Sequence, residues 1–254
     1  SVDGMPINMV SHAHGQGYSD LHFLIPETIQ NIDFGKGPYY GNHGDFNTAG
    51  YVNFKTKKAI NESQISLGFG QFNTFRTLGL FNLLGNKSNE TAYAAIEYLS
   101  SDGYFESFQN FNRINLFAKY NKYLKDDSRV TLTTSHFTSK WDASGQIPER
   151  EVANGNITRF GAIDDTEGGE TSRTNINLQH NKTLQDNKEI ESNIFYTRYN
   201  FKLYSNFTFF LDDPINGDQI KQVENRDVFG FNTKISKEIT LNTIDVDVNL
   251  GTGL

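Results

Sequence analysis

From about residue 61 to the carboxyl end, apolar and polar side chains alternate with a period of two, and that repeat restricts the chain to half-buried β-strands more tightly than any other feature. Successive side chains of a strand point to opposite faces, so each alternating run builds one apolar and one polar surface. Ile244, Val246, Val248 and Leu250 alternate with Asp245, Asp247 and Asn249. Ile114, Leu116, Ala118 and Tyr120 alternate with Arg113, Asn115, Lys119 and Asn121, and Phe117 interrupts the polar side. Ile176 and Leu178 sit between Asn175, Asn177 and Gln179, while Phe229, Phe231 and Ile235 stand opposite Asn232 and Lys234. A helical period fits none of these runs, and the pattern predicts roughly nine strands.

The connections narrow the architecture further. Short polar turns are predicted near Gly85-Asn86-Lys87, at Lys125 to Ser128, at Gln185 to Lys188 and at Lys237-Glu238. Between them lie longer Gly- and Asp-rich stretches around Ser101 to Gln109, Ala143 to Glu170 and Tyr204 to Lys221. Barrels of the outer-membrane type join strands by short turns at one end and long loops at the other. A soluble sandwich has no reason to lengthen every second connection. The fold class is therefore an all-β membrane barrel, present in part, with antiparallel up-and-down strands. Plugged barrels of this type have roughly 22 strands, so these runs supply a fraction of one.

Composition agrees with a barrel and closes other routes. Only 36% of the 254 residues are hydrophobic, and no stretch reaches the roughly 18 to 20 apolar residues of a spanning helix. A spanning strand needs only about 10 residues with every second one apolar, which leaves the whole chain polar. The 21 Phe and 12 Tyr suit interfacial girdles or a soluble β-core equally. Zero cysteines remove disulfides, thiolate metal sites and cysteine nucleophiles. A net charge of -7 with 23 scattered basic residues argues against a nucleic-acid partner. Neither a basic n-region nor an apolar h-region opens the chain, and Asn249 to Leu254 stops inside an alternating strand, so we read it as an internal piece.

Residues 1 to 58 differ in texture. They are rich in Gly and Pro, hold His12, His14, His22 and His43 out of six histidines, and contain short apolar runs at Leu21 to Ile25 and Tyr51 to Phe54. This is the pattern of a compact mixed domain with many turns. Val2-Asp3-Gly4-Met5-Pro6-Ile7-Asn8, Ile32-Asp33-Phe34-Gly35-Lys36-Gly37-Pro38, and Tyr40-Gly41 followed by Ala49 to Lys57 form three ordered motifs. In order and spacing they resemble the second half of the plug of TonB-dependent outer-membrane receptors. Two departures are local: Gly50-Tyr51 stands where the family has Gly-Gly, and Asn42 to Thr48 lengthens the approach to the last strand. Lys140 to Arg150 and Phe160 to Gly169 resemble an extracellular loop of one branch of these receptors. The resemblance implies 1–58 as the C-terminal half of a small α+β plug and 59–254 as the first barrel strands.

It also implies a function: active uptake of a scarce nutrient across the outer membrane of a Gram-negative bacterium, with a metal ion or a metal chelate of the siderophore type as cargo. The implied partners are the TonB energy-coupling complex, whose contact segment would lie upstream of Ser1, the outer-membrane lipid and a small-molecule ligand. In the family, the plug loop after the V-D-G segment faces the outer vestibule, which makes His12, His14, Gln16 and Tyr18 candidate ligand contacts. His12 and His14 share one side of an extended segment, a geometry a transition metal accepts; the competing reading is loop histidines bonded to water and backbone. Asp164, Asp165, Glu167 and Glu170 form either a hard-cation site or a solvated acidic loop, and Tyr204 to Phe210 either an aromatic ligand surface or a membrane girdle. No G-x-S-x-G elbow, H-E-x-x-H or P-loop occurs, so the reading is of a non-enzyme that needs no cofactor. A soluble all-β glycan-binding module, and an adhesin that uses the barrel only as a scaffold, are the competing classes.

Overall fold

A computed structural model of the chain describes residues 1–9, 18–41, 43, 48–85, 89–215 and 217–254. Two antiparallel sheets organise them. The smaller pairs β1 (Ile29–Lys36) with β2 (Gly50–Thr56), with a register shift between Ile29 and Asn31. The larger begins with β3 (Gln64–Phe69), β4 (Phe75–Asn82), β5 (Glu90–Ser101) and β6 (Phe111–Tyr123). It continues through β7 (Ser128–Asp142), β8 (Gly168–Leu184), β9 (Lys188–Asn206), β10 (Gln219–Leu241) and β11 (Ile244–Gly253). These nine strands lie in chain order, each beside the next, as the alternation and the connection lengths predict. No described helix is long and apolar enough to cross a membrane.

Sequential antiparallel pairing sends alternate connections to opposite ends. Residues 102–110, 143–167 and 207–218 gather with the tight 70–74 link at the loop end, and 83–89, 124–127, 185–187 and 242–243 at the turn end. Asp127, Asp186 and Asn242 take φ of 57°, 60° and 57°, the left-handed conformation that Asp and Asn adopt more readily than other side chains. One predicted turn is misplaced: Lys237 and Glu238 lie inside β10, whose ladder to β11 runs on to Leu241 opposite Ile244. Neither residue favours positive φ, and the chain turns instead where Asn242 does.

The two faces of the large sheet are inverted relative to a soluble protein. Leu132, Leu178, Ile194 and Phe231 are successive register partners across β7, β8, β9 and β10, and all four are exposed, Ile194 to 62%. On the opposite face Ser135, Asn175 and Thr197 are register partners, buried and bonded in series: Asn175 Nδ2 donates to Ser135 Oγ at 2.9 Å, and Thr197 Oγ1 donates to Asn175 Oδ1 at 2.9 Å. A soluble sandwich would cover the apolar face, whereas lipid is the solvent in which such a face is stable.

The polar face is covered by described residues of the first 60. Val2, Ile7 and Phe23 pack with Phe137 of β7, and Ile25 packs with Leu78, Leu80 and Ala95 of β4 and β5. Phe117, the residue that interrupts the polar side of β6, belongs to this second cluster and so faces apolar plug residues. Each such side chain contributes about 1.5–3 kcal/mol by burial.

The V-D-G motif closes against β2. Asp3 N donates to Phe54 O (2.9 Å), and Phe54 N donates to Ser1 O (3.0 Å). Gly4 has φ of +80°, the left-handed conformation that glycine adopts without a Cβ penalty, and a Cβ there would have to displace the amide end of Asn193, 2.7 Å away. The Asp3 carboxylate accepts from Thr56 N (3.0 Å), Thr56 Oγ1 (2.6 Å) and Lys119 Nζ (2.9 Å), while its carbonyl accepts from Asn177 and Gln179 at 2.9 Å each. One motif residue thereby ties the plug segment to β6 and β8.

Candidate functional site

A cavity of about 380 Å³ opens at the loop end, between the plug segment and the tops of the strands. Aromatic rings supply five of its eleven lining residues: Tyr18 and His22 come from the plug segment, Phe111 from the loop-end start of β6, Trp141 from the end of β7 and Phe201 from β9. Asp20, Gln109 and Thr171 supply polar groups. Met9, Tyr199 and Phe201 form the buried floor beside it, with Tyr18, Trp141 and Leu203 packed on them.

Local bonds fix the plug side. Met9 N donates to Tyr18 O at 2.8 Å in an antiparallel bridge, and His22 N donates to Asp20 Oδ1 at 2.9 Å. His22 Nδ1 lies 3.5 Å from the same oxygen, its ring 6.0 Å from Phe111 at a tilt. Burial, and then the charge of Asp20, raise the Tyr18 hydroxyl above its ordinary range, so it is a neutral donor at any physiological pH. His22 O accepts from Asn115 Nδ2 at 3.0 Å, which couples the cavity to the wall below.

That wall carries a charged relay. Arg76 of β4 donates to both oxygens of Glu27 (2.7 and 2.8 Å) and, through Nε, to Glu97 Oε1 (2.7 Å). Glu97 is fully buried and also accepts from Arg113 Nη2 (2.9 Å) and Asn115 Nδ2 (2.8 Å). The Arg76 bonds hold the Glu27 carboxyl below its usual range against the opposing effect of burial. Buried charges need this degree of pairing.

The loop-end connections interlock above the cavity. Asn73 Nδ2 donates to Asp102 Oδ2 (2.6 Å), Thr158 Oγ1 to Glu106 Oε1 (2.6 Å), and Arg150 to the Phe209 carbonyl. Asp164 and Glu167 are buried here, which corrects the solvated-loop reading for these two, while Asp165 is exposed and Glu170, also exposed, pairs with Lys202 on the strands. Burial opposes ionisation of Asp164, but bonds from Thr166, Asn206 and Gln219 prevail and lower its pKa; burial dominates at Glu167 and raises it. Among the described residues no group of three or more His, Asp or Glu side chains could hold a metal ion. Phe207 to Phe210 do not line the cavity.

Of the predicted contacts, Tyr18 lies in the cavity wall, and His12, His14 and Gln16 lie outside the described residues. Asp20, His22, Phe111, Trp141 and Phe201 were not singled out from sequence. They come from separate elements, and the available signal is that Phe111, Trp141 and Phe201 flank or approach the longer connections. A second, polar space of about 760 Å³ lies nearer the turn end, between β1/β2 and the wall, with Asp33, Lys55, Arg129, Glu191 and Lys234 on its surface.

An antiparallel strand wall that is apolar outside, polar inside and filled by a small β-containing segment defines the class: part of a plugged transmembrane β-barrel. The fold is that of the TonB-dependent siderophore receptors of the Gram-negative outer membrane. The siderophore receptor PiuA of Acinetobacter baumannii matches with TM-score 0.77 at 13% identity over 99% of this chain and 37% of that one. The pyoverdine outer membrane receptor FpvA of Pseudomonas aeruginosa PAO1 matches with TM-score 0.69 at 12% identity over 89% of this chain and 35% of that one. The ferric-catecholate import receptor Fiu of E. coli K12 matches with TM-score 0.68 at 13% identity over 89% of this chain and 39% of that one. The chain thus spans about two fifths of the structures it resembles. These are transport receptors and not enzymes. No protein-family profile and no curated protein sequence matches.

Proposed function

We propose that this chain is part of an outer-membrane receptor that takes up a metal chelate of the siderophore type, energised through TonB. Residues 1–58 are the plug portion and 59–254 the barrel portion in this reading. The observation that carries it is the cavity with aromatic walls between plug segment and loop end, seated on a plug that is held to the wall by polar bonds as well as by small, separate apolar clusters. Polar plug contacts can exchange for water when the plug is pulled, which an apolar core resists. Ligand docks against Tyr18, with His12, His14 and Gln16 as further contacts, and TonB supplies the energy for uptake.

Calorimetry of the complete receptor in detergent against metal ions, ferric chelates and glycans tests this. Saturable binding of a ferric chelate, weakened about tenfold or more in Tyr18→Ala or in the His12→Ala/His14→Ala pair, is the expected result. Binding only of a glycan, indifferent to all three substitutions, sinks it.

A further inference from the structure

The connections at the loop end are one-sided in charge, and two strand cations near them, Lys140 and Lys202, stand beside Glu170. Connection 102–110 holds Asp102 and Glu106, connection 207–218 holds Asp212, Asp213 and Asp218, and neither contains a Lys or Arg. Connection 143–167 sets five acids against Arg150 and Arg159. Arg150 is turned to the Phe209 carbonyl and to Glu151, 3.2 Å away. At the turn end the signs nearly balance, with Lys87 and Lys125 against Asp126, Asp127 and Asp186.

The cavity beneath repeats the bias. Its described lining includes one carboxylate, Asp20, which is buried, and no Lys or Arg. Arg173 acts on Asp20 electrostatically, but it is 3% exposed and does not line the cavity. Its guanidinium is engaged by Asn175 Oδ1 (2.9 Å), the Pro6 carbonyl (3.3 Å) and the face of Phe23 (4.9 Å). A polyanion entering here meets an acidic rim, then an aromatic wall that strips water from it, then a carboxylate, with no cation to replace the lost hydration. A cation meets an attractive field and aromatic faces that favour positive charge.

We propose that the cavity selects chelates with no net negative charge, of the hydroxamate type and favouring those that carry an ammonium group, and turns away polyanionic chelates of the tris-catecholate type. This rests on the receptor reading above and deepens it to a ligand class.

The test uses two probes on the complete receptor in detergent: a ferric linear trihydroxamate with a free ammonium group, and triply negative ferric tris-catecholate. The trihydroxamate is expected to bind at least about a hundredfold tighter, and its affinity to fall about threefold or more between low and high salt. Asp20→Asn should narrow the gap about tenfold. Asp102→Asn/Glu106→Gln, which keeps the acceptor oxygens, should narrow it less and reduce the salt dependence, and this second variant stands if Asp20→Asn fails to fold. Equal or tighter binding of tris-catecholate overturns the charge selection and leaves the receptor reading in place. Failure of both chelates alongside saturable binding of a glycan or peptide overturns the chelate reading and the selection with it.

Discussion

The two faces of the nine-stranded sheet are cut from the same strands and solve opposite problems. On the plug-bearing face, Glu97, Asn115, Asn175 and Asn177 are at most 1% exposed, and each has protein partners. On the bare face, Ile194, Phe229 and Leu250 are 62%, 74% and 72% exposed. A soluble sheet buries its apolar side because water is the solvent on both sides. Here the apolar side is what lipid requires, and the polar side is matched to the segment that covers it. The strand period sorts residues between these two environments, so a substitution one position along tests a different physics.

The largest effect is expected where the plug-bearing face loses one half of a buried pair. Asp3 and Lys119 have side chains 7% and 3% exposed and lie 2.9 Å apart. Asp3→Ala leaves the ammonium buried without its counter-charge, which costs about 3–5 kcal/mol. Limited proteolysis should show the plug segment cleaved in Asp3→Ala at protease concentrations the parent resists. Adding Lys119→Met should recover much of the loss, because it removes the orphaned charge; if the double variant is as labile as the single, the pair is not what anchors the plug.

Next comes the bare face. Leu178 lies in the row of Leu132, Ile194 and Phe231, and Leu178→Lys should destabilise the barrel in bilayers by about 2–4 kcal/mol, the depth-dependent penalty for a cation facing lipid. On a water-facing strand the same change would be nearly neutral. Folding into vesicles at graded urea separates the two, and an unchanged midpoint would mean that this face does not meet lipid.

A smaller effect belongs to the half-exposed end of the relay. Glu27 and Arg76 side chains are 34% and 30% exposed, and Glu27→Gln leaves Arg76 its bond to buried Glu97, so about 1 kcal/mol is expected. The Glu27 carboxyl is held below its usual range, chiefly by the Arg76 bonds. A lowered carboxylate pKa contributes stability above its unfolded value and loses it as pH falls through the folded value. The parent should therefore lose stability relative to Glu27→Gln only below about pH 4, the ordinary range of the group. A difference that persists unchanged to low pH would assign the effect to shape and remove the charge.

What was legible in the sequence was local. Period two exposed the strands and both faces, and Asn115 opposite Ile114 fell on the side where the structure buries it. The turn at Lys237-Glu238 failed because polarity was taken as a turn signal where the backbone needs a residue tolerant of positive φ, which Asn242 supplies. The cavity was mostly illegible. Tyr18 was reached through the plug resemblance, but Asp20, Trp141 and Phe201 meet only because strand register brings the upper parts of β7 and β9 to the same cavity beside the plug segment. Nothing local to Trp141 records that meeting. Charge was legible as a total of -7, but its concentration at the loop end becomes visible only once strand order assigns each connection to an end.

The smallest effect is expected at the turn end, where neither face is involved. Asp126 in the 124–127 turn accepts from Lys182 Nζ and Ser128 Oγ at 2.6 Å each, and these two bonds, Lys182 first, lower its pKa to about 2. The Asp126 side chain is exposed, and there ion pairs hold little energy because water and salt compete for both partners. Asp126→Asn should leave the unfolding midpoint at neutral pH unchanged within error. A carboxyl-carbon NMR titration of the parent should nonetheless find this group titrating near 2, with its stabilising contribution present above the unfolded pKa of about 3.9 and fading as pH falls toward 2. A large loss of stability at neutral pH would show that the turn end anchors the sheet as the plug-bearing face does, and would erase the distinction between a sheet held by its face and one held by its hairpins.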